Sequence, residues 1–299
     1  MKKWISLITL ILLTVALAAC SENKQQGQSA STDSKTTKVF KIGAIPDQNA
    51  TDLETGMTAL ANYLNEQTGL KVEFVPSVDY AALVTSFQRG DIHLAWFGGL
   101  TSVQARNLVP GAESILQRPN DAKFHSVFIT QVDSGINTLT DLKGKSFTFG
   151  SESSTSGHLM PRYYLMEAGI NPDKDFDGNP NFSGSHDTTY KLVESGAFQA
   201  GALNEDVWKK AVKEGKVDPK KVKVFYTTPA FYDYNWTLNS NVDDVFGKGT
   251  KEKVKKALLS YKGDQKAIAD LFQTDKFIET SNKNYDKIQK VAEELKIIK

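Results

Sequence analysis

Short apolar strands alternate with amphipathic helical segments from Val39 onward, and this alternation limits the possible fold more than any other feature of the chain. Apolar runs predict buried strands, whereas apolar residues at a spacing of about 3.6 predict helices. Gly69 is expected to close the first helix. The first segments are VFKIGAI, LETGMTALANYLNEQTG, KVEFVP, DYAALVTSFQRG, HLAWF and LTSVQARNLVPG. Elements in this order favour an α/β fold with an open sheet and crossover helices.

The alternation restarts after two further strands, SILQRP and KFHSVFITQV, and therefore predicts a second α/β unit. The portion from residue 39 to residue 299 also exceeds a typical single domain in length. We predict a discontinuous lobe 1 from 39–132 and 231–299, and a lobe 2 from 133–230. The lysine-rich end of the chain, from Thr250, is predicted to be helical and to pack as a solvated layer.

The N-terminus has the pattern of a secretory signal peptide. Lys2 and Lys3 precede an uncharged apolar run that ends at Ala19,. The sequence LAAC at its end looks like a bacterial lipobox, in which the cysteine is acylated, for example with palmitate, after cleavage. Residues 1–19 are then the signal peptide and Cys20 the lipidation site. A plain secretion signal or a transmembrane anchor is the alternative, although the run is short for a span.

Residues 20–38 contain no large apolar side chain and have the composition of a flexible tether,. Cys20 is the single cysteine, so no disulfide and no cysteine-based metal site can form once it is acylated,. Removal of Lys2 and Lys3 leaves 34 of the 36 basic residues against 35 acidic ones. This balance gives no indication of a nucleic-acid partner.

The loop SESSTS, between a predicted strand and a predicted helix, carries an unusual number of hydroxyl groups. Ser154, Thr155 and Ser156 fall at the first helical turn, where backbone N–H groups have no intrahelical partner and the helix dipole is positive. This arrangement favours an anion site. The alternative is a simple helix cap, for which one hydroxyl suffices. No phosphate-binding G-x-x-x-x-G-K-[ST] motif is present.

A second turn, FSGSHDTTY, places Ser185, His186 and Asp187 side by side. His186 could donate to an anion from the rim of a pocket, although a lone histidine is more often structural. Adjacent residues cannot form a catalytic triad, and no G-x-S-x-G elbow occurs. The histidines show no metal-ligand spacing, so no metal site is expected.

Three turns of lobe 1, IPDQNATD, VDYAALV and AWFGGLTS, follow or precede predicted strands at positions where doubly wound sheets bind ligands,. Taken with lobe 2, six segments resemble, in the same order, the solute-binding lipoproteins of ABC importers for phosphonates and related oxyanions such as phosphite and selenate. The resemblance covers the chain from Val39 to about Tyr261. The segments are DYAALV, DIHLAWFGG, SSTSGHLMPRYYL, GSHDTT, LNEDVW and YDYNW.

The resemblance implies a type II periplasmic binding protein fold with a ligand cleft between two lobes. The matched ligand-binding positions are Tyr80, Phe97, Ser154, Thr155, Ser156, His186, Glu205 and Asp233. The hydroxyls of lobe 2 and the histidine would hold the oxyanion, with Tyr80 from the opposite lobe. Glu205 and Asp233 would lie where aminoalkyl phosphonate binders hold an ammonium group. Phe97 replaces a frequent tyrosine and removes a donor, so the expected ligand is a small oxyanion: phosphonate, phosphite, phosphate or selenate-like.

The function implied by the resemblance is reversible capture of this ligand and its delivery to an ABC permease and ATPase. The protein would be a monomer without enzymatic activity or cofactor, anchored through Cys20 on the extracytoplasmic face of the cell membrane. Lobe closure around the anion would be the mechanism. A sensory lipoprotein with the same fold is the alternative, and a secreted serine hydrolase is a weaker one.

Overall fold

The computed structural model describes residues 38–298, which lie within one compact unit. The predictions for the signal peptide, for Cys20 and for the tether up to residue 37 lie outside the described residues. No helix in this part of the chain is long and apolar enough to cross a bilayer. The strands are β1 (Val39–Ala44), β2 (Lys71–Phe74), β3 (Leu94–Phe97), β4 (Glu113–Gln117), β5 (Ser126–Gln131), β6 (Phe147–Phe149), β7 (Asn181–Phe182), β8 (Ala200–Asn204), β9 (Val222–Thr227), β10 (Asn235–Leu238) and β11 (Ile278–Glu279).

The helices match most of the predicted helical segments. They are α1 (Ala50–Thr68), α2 (Tyr80–Gln88), α3 (Gly99–Leu108), α4 (Met160–Glu167), α5 (Pro172–Asp175), α6 (His186–Glu194), α7 (Glu205–Lys213), α8 (Val242–Phe246), α9 (Thr250–Leu259), α10 (Lys266–Phe272) and α11 (Asp286–Glu294). A π-helical turn, Thr155–Leu159, leads directly into α4. Gly69 caps α1 in the left-handed conformation, with a φ of 69°,.

The first sheet has the strand order β11-β4-β10-β3-β1-β2. β1 runs parallel to β2 and β3, whereas β10 runs antiparallel between β3 and β4. The late strand β10 thus returns the chain to the sheet that its first strands began. β11 pairs antiparallel with β4. The prediction of an entirely helical C-terminal end is therefore wrong at β11, which is too short to produce a detectable alternation.

The second sheet has the order β7-β6-β8-β5-β9. β6 is parallel to β7 and β8, and β5 is antiparallel to β8 and β9. β5 therefore belongs to the second sheet, although its residues fall inside the predicted range 39–132 of lobe 1. The division into lobes at residues 132 and 230 stays a prediction. We use lobe 1 and lobe 2 below for the parts of the chain around the first and the second sheet.

Each sheet has its own hydrophobic core. Side chains of β5 alternate between two clusters, because Phe128 packs on one face of the second sheet while Val127 and Ile129 pack on the other,. The core of the first sheet also takes in Leu159 and Met160, which belong to the chain segment of the second sheet and are fully buried. The two parts of the protein are therefore packed against each other at the π-helical turn. The predicted α/β class is confirmed.

The two sheets are connected by chain segments that run side by side. Phe124 lies before β5 and Phe231 lies before β10, and their backbones form an antiparallel bridge with N···O distances of 2.8 and 2.9 Å. This pair of crossing segments is short and hydrogen-bonded, which suits a hinge. Asp233 and Tyr234 follow directly, so the crossing segments deliver polar side chains to the space between the sheets.

Candidate functional site

The hydroxyl-rich loop after β6 forms one wall of the site. Ser154, Thr155 and Ser156 are almost completely buried, with exposed fractions of 3%, 1% and 1%. The Ser154 hydroxyl accepts a hydrogen bond from the Gly157 N–H at 2.9 Å and so caps the helical turn,. The helix-cap interpretation thus holds for Ser154. The N–H groups of Thr155 and Ser156 lie in the first turn, where helical geometry offers them no partner.

Thr155 joins the two parts of the protein. Its hydroxyl accepts a hydrogen bond from the Leu100 N–H at the start of α3, at 2.9 Å. Gly98, just before α3, permits this approach: a Cβ atom there would lie 3.1 Å from the Thr155 Oγ1 and 3.2 Å from the Asp233 Oδ1. A side chain at Gly98 would therefore press on both site residues and require them to shift by a few tenths of an ångström.

Asp233 lies at the centre of this contact with an exposed fraction of 1%. Its Oδ1 accepts a hydrogen bond from the Gly99 N–H at 3.0 Å, whereas its Oδ2 has no hydrogen-bond partner. Burial raises the pKa of Asp233 to about 7, against the opposing effects of the Gly99 N–H and of the Thr155 and Ser156 hydroxyls,. The carboxyl can therefore exist in either protonation state near neutral pH.

Asp47, in the turn between β1 and α1, supplies a second buried carboxyl. Its Oδ2 accepts a hydrogen bond from the Tyr234 hydroxyl at 2.7 Å, and its Oδ1 has no partner. Its backbone carbonyl accepts the His186 N–H at 3.0 Å, which ties lobe 1 to the start of α6. Burial raises the pKa of Asp47 to about 6, while the Tyr234 hydrogen bond and the charge of Arg118 lower it,.

His186 is fully buried and serves the same network. Its Nδ1 lies 3.3 Å from the Asn204 N–H, which assigns Nδ1 as the acceptor and leaves the proton on Nε2,. That nitrogen lies 3.3 Å from the Tyr234 hydroxyl, which also receives a hydrogen bond from the Asn204 amide at 3.0 Å. Burial lowers the pKa of His186 to about 4, so the imidazole is neutral near pH 7.

Tyr80, the first residue of α2, completes the site. Its side chain is 2% exposed and its hydroxyl has no hydrogen-bond partner. Burial, and then the charges of Asp47 and Asp233, raise its pKa well above the ordinary value, so the phenol remains a neutral donor. Buried polar atoms without partners are unusual in folded proteins. Three such atoms belong to Tyr80, Asp47 and Asp233. These side chains lie close enough together for the two carboxylate charges to raise the pKa of the Tyr80 phenol.

Arg118 is the buried cation nearest to this group. Its guanidinium binds Asp121 at 2.6 Å, lies 3.6 Å from Asp206 of α7, and covers the ring of Tyr234 at 5.1 Å. Asp121 holds the guanidinium in an ion pair, so the charge of Arg118 reaches Asp47 only as a partial offset to the effect of burial. No group of acidic, histidine or cysteine side chains within residues 38–298 could hold a metal ion.

Two predicted site residues have partners outside the group of unpartnered polar atoms. Phe97 is fully buried in the core of the first sheet, where its ring meets Phe87 edge to face at 5.4 Å. Glu205 begins α7, and its carboxylate pairs with Lys209 at 2.8 Å on the same helix. The resemblance implies that both contact the ligand, and this stays a prediction, because the structure shows only that Phe97 packs on Phe87 and that Glu205 pairs with Lys209.

The three adjacent residues Ser185, His186 and Asp187 do not act together. The Ser185 hydroxyl donates to the Asp187 carboxylate at 2.6 Å and caps α6, whereas His186 turns toward Tyr234 and Asn204. This arrangement lacks a serine activated by a histidine.

Sequence reasoning did not name Asp47, Tyr234 or Asn204. Asp47 lies in IPDQNATD, a turn expected at the ligand edge of the sheet, and Tyr234 is the neighbour of the predicted Asp233. Asn204 caps α7 directly before the predicted Glu205. All three residues lie inside segments identified from the sequence, but the local pattern does not tell which side chain of a segment turns inward.

The family model for the periplasmic substrate-binding proteins of phosphonate ABC transporters matches residues 42–285. The chain belongs to this family. A relative from Prochlorococcus marinus, named a probable ABC transporter phosphite-binding protein, PhnD1, is 39% identical, with 88% of this chain and 91% of the relative covered. The phosphate-import protein PhnD of Mycolicibacterium smegmatis is 30% identical, with 81% and 77% covered.

Solved structures agree with this membership in the phosphonate-binding family. The crystal structure of Prochlorococcus PhnD1 in complex with methylphosphonate superimposes with a TM-score of 0.84, covering 88% of this chain and all of PhnD1. A binding-protein component of a phosphonate transporter from Pseudomonas aeruginosa, 20% identical, shares the fold with a TM-score of 0.75 over 85% of each chain. The periplasmic binding protein fold is thereby confirmed. These family members are substrate-binding proteins of transporters and not enzymes.

Proposed function

We propose that this member of the family captures a small oxyanion of the phosphonate or phosphite class between its lobes and delivers it to an ABC permease and ATPase. Phosphate and selenate-like ions are also candidate ligands of the site. One observation carries the proposal: buried polar atoms of Tyr80, Asp47 and Asp233 lack partners beside the hydroxyls of Thr155 and Ser156. The names of the PhnD1 and PhnD relatives support the phosphorus-oxyanion class.

The proposed contacts divide by lobe. Thr155 and Ser156 of lobe 2 offer hydroxyl groups and the free N–H groups of a helical first turn. Tyr80 of lobe 1 offers a neutral phenol, and Asp47 and Asp233 offer acceptors. In this proposal His186 positions Tyr234 and does not itself bind the ligand. Phe97 and Glu205 are not among the proposed contacts.

Binding is proposed to favour the closed form over an open one. Closure brings the Thr155 hydroxyl to the Leu100 N–H and the His186 N–H to the Asp47 carbonyl. At the rim, Asp52 of α1 lies 3.4 Å from Lys216 and 3.7 Å from Lys210. These contacts join the two lobes and are expected to separate when the hinge opens.

The lipid anchor on Cys20, the position on the outer face of the cell membrane and the monomeric state are also proposals. The anchor and the location are supported by the signal-like N-terminus with its LAAC sequence and by the periplasmic family. Mass spectrometry of the membrane-derived protein tests the anchor through acyl groups on Cys20. A chain that retains its signal sequence or carries a free thiol there would contradict this part of the proposal.

Ligand binding is tested by thermal shift and calorimetry on the purified protein. The panel contains phosphite, methylphosphonate, 2-aminoethylphosphonate, phosphate, sulfate and selenate, with an amino acid and a sugar as controls. A ligand at 100 times its Kd stabilises the fold by about 2.7 kcal/mol. We expect one or two phosphorus oxyanions to raise the Tm. A rise with the amino acid or the sugar alone would overturn the proposed function.

A further inference from the structure

The proposed oxyanion site contains more negative than positive side chains. Asp47 and Asp233 are 3% and 1% exposed, and neither forms an ion pair with a cation among the described residues. Arg118, the nearest buried cation, is already bound to Asp121. A fully deprotonated oxyanion placed against two carboxylates would meet repulsion that low-dielectric surroundings strengthen.

Hydrogen-bond chemistry leads to the same conclusion. A carboxylate oxygen can only accept, and an oxyanion oxygen without a proton can only accept as well. Among the described residues no donor meets hydrogen-bond geometry at the Asp47 Oδ1 or the Asp233 Oδ2. The Thr155 and Ser156 hydroxyls are nevertheless close enough to lower the pKa of Asp233. A ligand that satisfies them must bring a donor such as an O–H or an ammonium group, or the carboxyl itself must carry the proton and donate to the ligand.

Other titratable groups near the carboxyls do not supply this proton. Burial keeps the Tyr80 and Tyr234 phenols neutral, with pKa values well above the ordinary value, and burial keeps the His186 imidazole neutral as well. The groups that face Asp47 are Arg118, Tyr80, Tyr234 and His186. Those that face Asp233 are Asp121, Tyr80, Tyr234 and Tyr285.

We propose that the site binds its oxyanion only together with a proton shared between the ligand and Asp233 or Asp47. Hydrogen phosphite and hydrogen alkylphosphonates meet this requirement near neutral pH. Sulfate and selenate, which carry no proton there, are rejected. The inference rests on the proposed function and narrows its ligand class to protonated phosphorus oxyanions.

An ammonium group is the other partner that buried carboxylates could take. The resemblance to aminoalkyl phosphonate binders assigns Glu205 and Asp233 to that role together. In the structure the Glu205 carboxylate is bound to Lys209 on the surface of α7, 2.8 Å away. One carboxyl of the expected pair is therefore engaged elsewhere, which favours a proton over an ammonium group.

The pH dependence has a defined sign. Burial raises the pKa values of Asp233 to about 7 and of Asp47 to about 6, so both carboxyls lose most of their protons above neutral pH in the ligand-free protein. An anion bound beside them raises those pKa values further. Binding therefore takes up protons, and the observed affinity falls as the pH rises from about 6.5 to about 8.5.

The test is calorimetry of phosphite and of sulfate at pH 7.5 in two buffers with different ionisation enthalpies. We expect phosphite to bind with uptake of roughly one proton, seen as a buffer-dependent heat. Sulfate should bind at least 100-fold more weakly than phosphite. Asp233→Asn should abolish much of the uptake and narrow the gap between the two ligands. If that variant does not fold, Asp47→Asn provides the same comparison.

Glu205→Gln is the matched control, since it removes a carboxyl of lobe 2 that is already paired with Lys209 of the same helix. We expect its proton uptake and its ligand preference to equal those of the wild type. Equal affinities for sulfate and phosphite, without proton uptake, would overturn the inference and leave the proposed function intact. Preferred binding of 2-aminoethylphosphonate without uptake, weakened by Glu205→Gln, would also overturn it. Binding of none of the oxyanions would overturn the proposed function itself.

Discussion

Thr155→Val removes one hydroxyl from the contact between the lobes and keeps the volume of the side chain nearly constant. In the structure the Thr155 Oγ1 accepts the Leu100 N–H at 2.9 Å, and the Thr155 side chain is 1% exposed. The valine leaves this N–H buried without an acceptor, at a cost of about 1 to 3 kcal/mol. In an open form the N–H is hydrated, so the penalty falls on closure and thus on ligand binding.

The expected result is an affinity for phosphite or methylphosphonate that is lower by roughly 5-fold to 150-fold, because 1.4 kcal/mol corresponds to a factor of ten. Isothermal titration calorimetry measures it, and the Tm of the ligand-free variant should stay close to that of the wild type. Ser153→Ala is the control, because this neighbouring hydroxyl bonds no other group that the structure describes, and its affinity should not change. Unchanged affinity in Thr155→Val would refute the role of this hydrogen bond in closure.

Three further predictions concern stability. Leu159→Ala opens a cavity where a lobe 2 side chain is fully buried in the core of lobe 1; urea unfolding should show a loss of about 2 to 5 kcal/mol, and a loss below 1 kcal/mol would contradict this packing. Arg118→Met leaves the buried Asp121 carboxylate without its cation; a loss of about 3 to 5 kcal/mol is expected, and an unchanged Tm would argue against the ion pair. Burial lowers the pKa of His93 to about 4, so the fold favours the neutral imidazole. The neutral His93 imidazole stabilises the fold fully above pH 6.5, and this stabilisation is lost as the pH falls toward 4. The difference in unfolding free energy between the wild type and His93→Gln should therefore shrink over that interval, and a constant difference would contradict the prediction.

The sequence predicts the hydroxyl wall of the site because its signals are local. A strand, a loop with several hydroxyls and an amphipathic helix follow one another within SFTFGSESSTSGHLMPRYYL, and the first helical turn lies where this order places it. The first N–H groups of any helix lack an intrahelical partner, so the presence of free donors follows directly from where the helix begins. The position of Ser154, Thr155 and Ser156 thus follows from a single stretch of chain.

The carboxyl at Asp47 could not be found in the same way. Its hydrogen-bond partner Tyr234 is 187 residues away, and its backbone carbonyl meets His186 from another lobe. Those contacts exist only after both lobes have folded and met. The turn was predicted as part of the ligand edge, but no local pattern distinguishes an inward-facing Asp47 from a helix cap, a role that Asn49 takes here.

Asp47 was not named from the sequence, whereas Glu205 was named from a motif match and is not among the side chains that the structure brings together at the site. Lys209 follows four residues later on the same helix, and a Glu–Lys pair at that spacing stabilises a helix by only a few tenths of a kcal/mol. This weak local pair is nevertheless the one that the structure contains. The inward position is occupied by the preceding residue, Asn204, whose amide reaches the Tyr234 hydroxyl at 3.0 Å.

The strand β5 marks the limit of pattern reasoning for the fold. The segment KFHSVFITQV predicts a strand here, but its sequence does not reveal which strands will pair with it. Hydrogen bonds to β8 and β9 place it in the second sheet, within a chain segment assigned to lobe 1 from the sequence. Pairing partners of this kind depend on contacts far apart in sequence.

Tyr80→Phe tests the central claim most directly. The Tyr80 hydroxyl is buried and bonds no protein group, so its removal should leave the Tm of the ligand-free protein unchanged or slightly higher,. If the hydroxyl faces a bound oxyanion, calorimetry with phosphite or methylphosphonate should show an affinity at least 10-fold lower, equivalent to about 1.4 kcal/mol. Wild-type affinity in Tyr80→Phe would contradict an oxyanion site at this position between the lobes.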